Sequence, residues 1–226
     1  MTNDVCAAND LDTDPVNPPA DHVRCDTARR EKIMSAATRS VVKYGYQATS
    51  MDRVAHGSGM SKKTVYRMFS SKQELFETLL QEKLLRKEPQ DLPREGKNYA
   101  DRLTRGICML ADDFLGTERI SLLRAVIGEL SRHPEIGQFM EKYFATESKT
   151  YPMRVWLQEL YDQNALKIDD ITATADRLFG MTLGVLALGE LTQCRPRMPK
   201  AERDAFIAES VRIFLYGAGA QLIGGL

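Results

Sequence analysis

Apolar residues recur at helical spacing along the chain from residue 27 onwards. A first group predicts an amphipathic helix over residues 28–44, with Thr27 as N-cap and Gly45 as stop signal; its apolar positions are Ile33, Ala36, Ala37, Val41 and Tyr44. Residues 1–26 lack this periodicity and are rich in Asp, Asn and Pro. We therefore expect residues 1–26 to form a disordered acidic tail.

Three further helices follow closely, each preceded by a serine that can serve as N-cap. MDRVAHG follows Ser50, SKKTVYRMF starts at Ser61 after the turn GSGM, and KQELFETLLQEKLLRK follows Ser71. The last helix has an apolar face, formed by Leu75, Phe76, Leu79 and Leu80. These short helices are therefore expected to pack with the first one into a small unit.

The rest of the chain predicts a larger helical body. EPQDLPREGKN, which has two prolines and a glycine, is interpreted as the connection, and helices are predicted at about 98–115, 120–131, 135–162, 171–193 and 200–222. No segment alternates apolar and polar residues with β-branched enrichment, so no sheet is expected. The predicted fold class is all-α, with an N-terminal domain over residues 27–72 and a C-terminal domain over residues 73–226.

Composition excludes several classes of protein. With 43% hydrophobic and 27% charged residues, the chain is typical of a soluble globular protein. Its longest weakly polar run, residues 178–189, is shorter than the roughly 20 residues that cross a membrane, so no membrane association is expected. The N-terminus lacks an export signal and the cysteines form no CxxC pair, which favours reduced thiols in the cytoplasm.

The formal net charge of +0 conceals an uneven distribution. Residues 1–26 carry a net charge of −5, residues 27–72 carry +8, and residues 73–226 carry −3. A basic segment within a neutral chain is typical of a nucleic-acid-binding surface, although a solvated basic helix would have the same composition. Charge alone therefore leaves both interpretations open.

The spacing of residues 50–69 favours the first interpretation. A helix-turn-helix needs a small residue where its helices touch and a glycine in the turn, and Ala55 and Gly59 occupy these positions. If Met60, Val65 and Met68 face inward, helical geometry turns four other side chains outward: Lys62, Lys63, Tyr66 and Arg67. That face suits insertion into a major groove, with Ser61 or Thr64 adding hydroxyl contacts.

Residues 29–80 resemble the DNA-binding domain of TetR/AcrR-type transcriptional regulators. GYQATS, GMSKKTVYRMF and SKQELF stand in register with the family's GY-x-A-T-S link, its G-[VM]-S-K-x-T-[VLI]-Y-x-x-F recognition element and its S-K-x-x-L-F helix start. Lys63 stands where the family often has Gly, and Met68 where His is common, so both should tune site preference. The resemblance implies a sequence-specific DNA-binding regulator, expected to be a repressor that a small-molecule ligand releases from its operator.

The resemblance also implies roles for individual residues. Thr49 and Ser50 would bond a phosphate, and Lys72 would clamp the DNA backbone. Four residues would lie in or along the major groove: Lys62, Thr64, Tyr66 and Arg67. Simpler alternatives stay open, because Tyr66 could be a core aromatic residue, and Lys62 and Lys72 could be merely solvated.

Two partners besides a double-stranded DNA operator are expected. One recognition helix reads too few bases for a specific site, which favours a homodimer. The resemblance implies that residues 171–193 and 200–222 of both copies form a four-helix interface. The alternative is that these helices pack within one chain. In this family the middle helices enclose a pocket, here for a small hydrophobic or amphipathic ligand. Its candidate residues could equally be core: Met109, Phe114, Phe139, Tyr143, Phe144 and Trp156.

No catalytic residue, metal site or cofactor is predicted. The three histidines, at positions 22, 56 and 133, have no Cys, Asp or Glu at ligand spacing, and GxSxG, P-loop and HExxH motifs are absent. A helical small-molecule-binding or interaction protein without specific DNA function is the main alternative, but it would leave the +8 segment unexplained. An architectural DNA-binding protein would bind all sequences with nearly equal affinity.

Overall fold

The computed structural model of the chain describes residues 20–84, 92–147 and 152–217, without the side chains of residues 20–24 and 143–147. Helices joined by short connections make up these ranges, and no strand occurs within them, in agreement with the predicted all-α class. The chain divides between Glu82 and Lys83 into two compact units.

The first unit holds four helices. They are α1 (Ala20–Ala48), α2 (Met51–Ser58), α3 (Lys62–Met68) and α4 (Lys72–Leu79), and a π-helical turn, Leu80–Leu84, follows α4. Ser50, Ser61 and Ser71 are the N-caps of α2, α3 and α4, as predicted, because each side chain accepts a hydrogen bond from the backbone three residues later.

The first helix differs from its prediction. It begins at Ala20, so residues 20–26 of the predicted disordered tail are helical and Thr27 is not an N-cap; residues 1–19 lie outside the described ranges. No proline or glycine interrupts residues 20–44, and an ion pair between Asp26 and Arg29 (3.2 Å) supports the added turns. Gly45 breaks the helix as predicted, with φ 80° and ψ 171°.

The division between the units also lies beyond the predicted boundary at residue 72. The apolar face of α4 belongs to the first unit, where Phe76 is buried with its ring centroid 4.4 Å from that of Tyr46. The Arg30 guanidinium of α1 donates two hydrogen bonds to Glu82, of 3.1 and 2.5 Å. These contacts place residues 73–82 in the first unit.

The second unit holds seven helices within the described residues. They are α5 (Tyr99–Phe114), α6 (Thr117–Glu129), α7 (Pro134–Glu147), α8 (Pro152–Asp162), α9 (Ile171–Phe179), α10 (Val185–Thr192) and α11 (Lys200–Gly217), with a π-helical turn, Gly180–Gly184, between α9 and α10. The predicted helix 135–162 corresponds to α7 and α8. Residues 218–222, at the end of the predicted helix 200–222, lie outside the described residues.

One buried cluster forms the core of this unit. Its side chains come from α5, α6, α8, α9, α10 and α11, with Trp156 fully buried among them. The Trp156 ring lies against Gly106 of α5, where an added Cβ would stand 2.8 Å from Cη2. Glycine at this position therefore makes room for the indole ring.

An ion-pair cluster joins α5 to α11. The Arg203 guanidinium is buried and donates to Asp112 Oδ1 (2.6 Å) and to Asp204 Oδ1 (2.7 Å). The exposed Lys200 ammonium donates to both Asp112 carboxylate oxygens at 2.7 Å. The hydrogen bonds from Lys200 and Arg203 hold the pKa of Asp112 below its usual value.

The stretch Ile171–Thr192 is 22 residues long and is apolar enough to cross a membrane by length and composition alone. It comprises α9, the π-helical turn and α10. Several of its side chains, including Leu178, Leu183 and Leu186, are buried in the core of the second unit. Part of the apolar composition of this stretch is therefore used in packing the helical body, while Val185 and Leu188 remain exposed.

Candidate nucleic-acid interface

The turn between α2 and α3 sets the start of the recognition helix. Gly59 adopts the left-handed conformation (φ 69°, ψ 21°) that ends α2. Its N–H donates to His56 O (3.2 Å) and the Met60 N–H donates to Ala55 O (3.0 Å), which is the hydrogen-bond pattern of a Schellman motif. Because left-handed backbone favours glycine, Gly59 allows α3 to begin three residues later.

The buried side of α3 matches its prediction. Val65 is fully buried, Phe69 at the C-cap is nearly so, and Met60 and Met68 are half-buried. Ala55 of α2 is also buried, as the small residue of a helix-turn-helix should be. These apolar contacts hold α3 in a defined orientation on the first unit.

The opposite side of α3 is exposed, which confirms the predicted orientation of Lys62, Lys63, Tyr66 and Arg67. Tyr66 retains 51% of its accessible surface, so its ring does not lie in the core. The face therefore presents cationic groups and one phenol to solvent. The hydroxyls of Ser61 and Thr64 stand 2.9 Å apart at the start of the helix, and the Thr64 N–H donates to Ser61 Oγ (3.1 Å).

The Thr49 hydroxyl is engaged within the first unit. Its side chain is only 5% exposed, its hydroxyl donates to Gly45 O (2.8 Å), and it stands 3.0 Å from the hydroxyl of Ser40. The predicted phosphate contact through this side chain is therefore wrong, because the hydroxyl joins the Gly45 bend to α1. The neighbouring Ser50 is exposed and caps α2 through the Arg53 N–H (3.2 Å).

Lys72 is half-buried at the start of α4. Its ammonium donates to Gln47 O (3.0 Å) and lies 4.2 Å from the centroid of the Tyr46 ring. The backbone and aromatic contacts restrain Lys72 near the segment between α1 and α2. A restrained ammonium suits contact with a phosphate, and this contact stays a prediction.

Carboxylates next to the recognition helix were missed by the sequence analysis. Asp52 of α2 places Oδ2 2.6 Å from Lys62 Nζ, and Asp26 of α1 places Oδ1 3.7 Å from Arg67 Nη2. No specific contact was predicted for Asp26, because residues 1–26 were expected to be disordered. The pair between Asp52 and Lys62 was not predicted either, because it depends on how α2 packs against α3.

A second missed feature lies at the end of α1. Tyr44 was placed on the buried face of this helix, but 47% of its surface is exposed. The Arg53 guanidinium lies 4.2 Å and the Lys43 ammonium 5.1 Å from the centroid of the Tyr44 ring. This cluster adds cationic side chains to the surface that also carries Ser50.

The predicted pocket residues divide into several groups. Met109 is 51% exposed, so its assignment to an enclosed pocket is wrong; it projects from the outer side of α5. Trp156 is a fully buried core residue. Phe114 and Phe139 are half-buried, and the Phe114 ring lies 5.9 Å from that of Phe179. The side chains of Tyr143 and Phe144 lie outside the described residues.

The last two helical segments present apolar groups to solvent. Leu188 of α10 is 60% exposed and Tyr216 of α11 is 80% exposed, and Val185 and Ile213 are exposed beside them in sequence. Gly180 has no heavy atom within 4 Å of an added Cβ. Exposed apolar side chains are therefore present on both helical segments from which the dimer interface was predicted.

Comparison with known proteins assigns both units to one family. A profile of the N-terminal domain of bacterial regulatory proteins of the TetR family matches residues 33–79. A profile of the C-terminal domain of AefR-like transcriptional repressors matches residues 102–218, which is more than half of the chain.

Individual relatives agree with this assignment. The HTH-type transcriptional regulator UidR of Escherichia coli is 25% identical over 192 residues, covering 83% of this chain and 91% of UidR. YhgD of Bacillus subtilis, also an HTH-type transcriptional regulator, is 45% identical over 58 residues, so the match spans only 30% of YhgD and 24% of this chain. The crystal structure of a TetR family regulator from Pseudomonas syringae superposes with a TM-score of 0.69 at 23% identity, covering 84% of this chain and 95% of that one.

Proposed function

Because the chain belongs to the TetR family and is a DNA-binding transcriptional regulator, we propose that it is a homodimeric repressor of a double-stranded operator. A small hydrophobic or amphipathic ligand is proposed to release it from that operator. The DNA-binding part of this proposal rests on the orientation of α3. Val65 and Phe69 anchor the helix, while Lys62, Lys63 and Arg67 project into solvent. A short exposed cationic helix held in this way suits a major groove.

The side chains of this surface fall into two kinds of contact. Arg67 and Lys63 lie on the outer face of α3 and are proposed to read base edges, where an arginine pairs well with guanine. Ser50, Ser61 and Lys72 lie at helix starts and are proposed to contact phosphates, which position the protein without reading sequence. Thr64 and Tyr66 complete the proposed interface at the groove.

The exposed apolar groups of α10 and α11 support the proposed homodimer. Leu188 and Tyr216 would lose solvent contact against the same helices of a second copy, and their burial would favour association. A two-fold dimer places its recognition helices on half-sites about 34–36 Å apart. TetR-family regulators act as dimers with ligand-binding C-terminal domains, so this arrangement follows the family.

Ligand release requires a ligand that binds one conformation of the dimer better than the other. The proposed ligand would sit among the helices of the second unit near half-buried aromatic residues such as Phe114, Phe139 and Phe179. Binding to a conformation in which the two recognition helices no longer match the half-site spacing would lower operator affinity. We also propose that the protein acts in the cytoplasm and is not an enzyme.

In vitro selection from a pool of random duplexes tests the DNA-binding part of the proposal. The purified full chain should enrich a two-fold symmetric sequence whose half-sites lie about one helical turn apart. Arg67→Ala should lower affinity for that sequence by about 5- to 150-fold, corresponding to about 1–3 kcal/mol for a base-reading arginine. An unchanged affinity and preference would contradict the role of Arg67. Nearly equal binding to all duplexes would indicate an architectural DNA-binding protein instead.

A further inference from the structure

Two cations on the outer face of α3 each lie against a carboxylate from another helix. Lys62 Nζ is 2.6 Å from Asp52 Oδ2 of α2, and Arg67 Nη2 is 3.7 Å from Asp26 Oδ1 of α1. All four side chains are largely exposed, so these carboxylates occupy space on the surface that faces DNA in the proposed function. Carboxylates at such a surface oppose phosphate binding through like-charge repulsion.

Other contacts keep both carboxylates in place. Asp52 lies in the first turn of α2, where the partial positive charge of the helix start favours a carboxylate. Asp26 also accepts a hydrogen bond from Arg29 Nη1 (3.2 Å), one turn further along α1. The two contacts between helices are therefore supported by features within each helix.

We propose that Asp52 and Asp26 are specificity-determining residues, which in the free protein hold Lys62 and Arg67 and weaken their binding to DNA of arbitrary sequence. This inference rests on the proposed contacts of α3 with DNA. Phosphates give the sequence-independent part of protein–DNA affinity. At an arbitrary DNA sequence, Lys62 or Arg67 would only exchange its carboxylate partner for a phosphate, so the protein would gain little affinity for that DNA. At the operator, hydrogen bonds with base edges add affinity that the carboxylates cannot replace.

Removal of one carboxylate should therefore increase the number of cations available to phosphates. The logarithm of the binding constant falls with the logarithm of salt concentration by about 0.9 for each phosphate neutralised. Asp52→Asn should steepen this slope by about 0.9 and raise affinity for arbitrary duplex about fivefold at ~0.15 M salt. Asp26→Asn should act in the same direction through Arg67, with a smaller effect because its contact is longer.

The test uses the full chain and fluorescence anisotropy between about 0.05 and 0.3 M KCl, over which the logarithm of the binding constant should fall linearly with the logarithm of salt concentration. Its probes are the duplex recovered by in vitro selection and a shuffled duplex of the same length and composition. Asp52→Asn should raise affinity for the shuffled duplex more than for the selected one, which lowers the ratio of the two affinities. Thermal unfolding of each variant checks that the first unit remains folded.

Glu82→Gln provides a matched control, because Glu82 is an exposed carboxylate of the same unit whose partner, Arg30, lies on α1. It removes the same charge from a carboxylate whose ion pair involves no residue of α3. An equal gain for Glu82→Gln would overturn the proposal in favour of a general charge effect. The Lys62→Ala background is a second control, since a full effect of Asp52→Asn there would show that Asp52 does not act through Lys62.

The outcomes for the two hypotheses differ. If the wild-type chain binds the selected and shuffled duplexes equally, the proposed sequence-specific function fails, and this inference fails with it. If the wild-type chain discriminates but Asp52→Asn leaves both the salt slope and the affinity ratio unchanged, only the role of the carboxylates is refuted.

Discussion

Replacement of Arg203 by Met tests the ion-pair cluster that joins α5 to α11. The Arg203 side chain is only 10% exposed, and it donates to Asp112 Oδ1 (2.6 Å) and Asp204 Oδ1 (2.7 Å). Removing one member of a buried pair costs about 3–5 kcal/mol when the remaining charge is also buried. Asp112 and Asp204 keep part of their hydration, so we expect a smaller loss, about 1–3 kcal/mol of the free energy of unfolding.

Urea unfolding measured by tryptophan fluorescence suits this test. Trp156 is the one tryptophan of the chain and is fully buried in the second unit, so its emission reports on that unit. Arg203→Met should shift the midpoint to lower urea without changing the m-value. In thermal unfolding the same loss corresponds to roughly 3–10 °C. Protein concentration is kept constant because the proposed dimerisation would alter the apparent stability.

Lys200→Met is the matched control, since Lys200 also donates to Asp112 but is largely exposed. Its replacement should destabilise the protein much less than Arg203→Met, because solvent screens an exposed pair. If Lys200→Met costs as much as Arg203→Met, burial of the guanidinium does not determine the stability of this cluster. The reasoning would also be refuted if Arg203→Met left the urea midpoint unchanged.

The cluster should respond to acid in a defined direction. Hydrogen bonds from Lys200 and Arg203 lower the pKa of Asp112. Partial burial opposes the change at Asp204, but the hydrogen bond from Arg203 lowers the pKa of that carboxyl as well. A lowered folded-state pKa stabilises the fold above the unfolded value of about 3.9. The difference in stability between wild type and Arg203→Met should therefore be complete near neutral pH and should shrink as the pH falls below about 4.

Three further predictions concern other parts of the chain. Thr49→Val should lower the stability of the first unit by about 1–2 kcal/mol, because Gly45 O loses the hydrogen bond that the Thr49 hydroxyl donates. The salt dependence of DNA binding should stay unchanged. A flatter salt dependence would restore the phosphate role of Thr49. Leu188→Glu and Tyr216→Ala should each shift the protein towards monomer in light scattering, and an unchanged dimer would refute the proposed interface. Burial raises the pKa of the Cys108 thiol to about 12, so this thiol should react slowly at pH 8. Maleimide labelling with peptide mapping should therefore modify exposed Cys194 and spare Cys108 until the protein unfolds. Equal labelling of the two cysteines would contradict the burial of Cys108.

Local signals in the sequence predicted the helix-turn-helix well. Serine N-caps at positions 50, 61 and 71 act within three residues of chain, and a left-handed Gly59 is needed wherever α2 turns into α3. The inward position of Val65 and the outward positions of Lys62 and Arg67 follow from the helical repeat alone. These features depend on neighbours in the sequence, so a pattern of residues is enough to predict them.

Features that depend on distant residues were predicted poorly. Thr49 was assigned to a phosphate, but its hydroxyl lies next to Ser40, which only the folding of α1 against the next segment brings near. Tyr44 and Met109 have the spacing of buried residues, yet both are exposed, because periodicity marks a face of a helix without showing how far a neighbouring helix covers it.

The sequence by itself determined the all-α class, the family and the outward face of the recognition helix, because each rests on local spacing and on motifs in fixed register. The tertiary structure decided which polar groups on that face have partners. Asp26, Asp52, Lys62 and Arg67 come from three helices, and ion pairs between helices form only where packing brings their ends within about 4 Å. The sequence shows a segment with a net charge of +8, whereas the structure shows that Lys62 and Arg67 of this segment already pair with carboxylates.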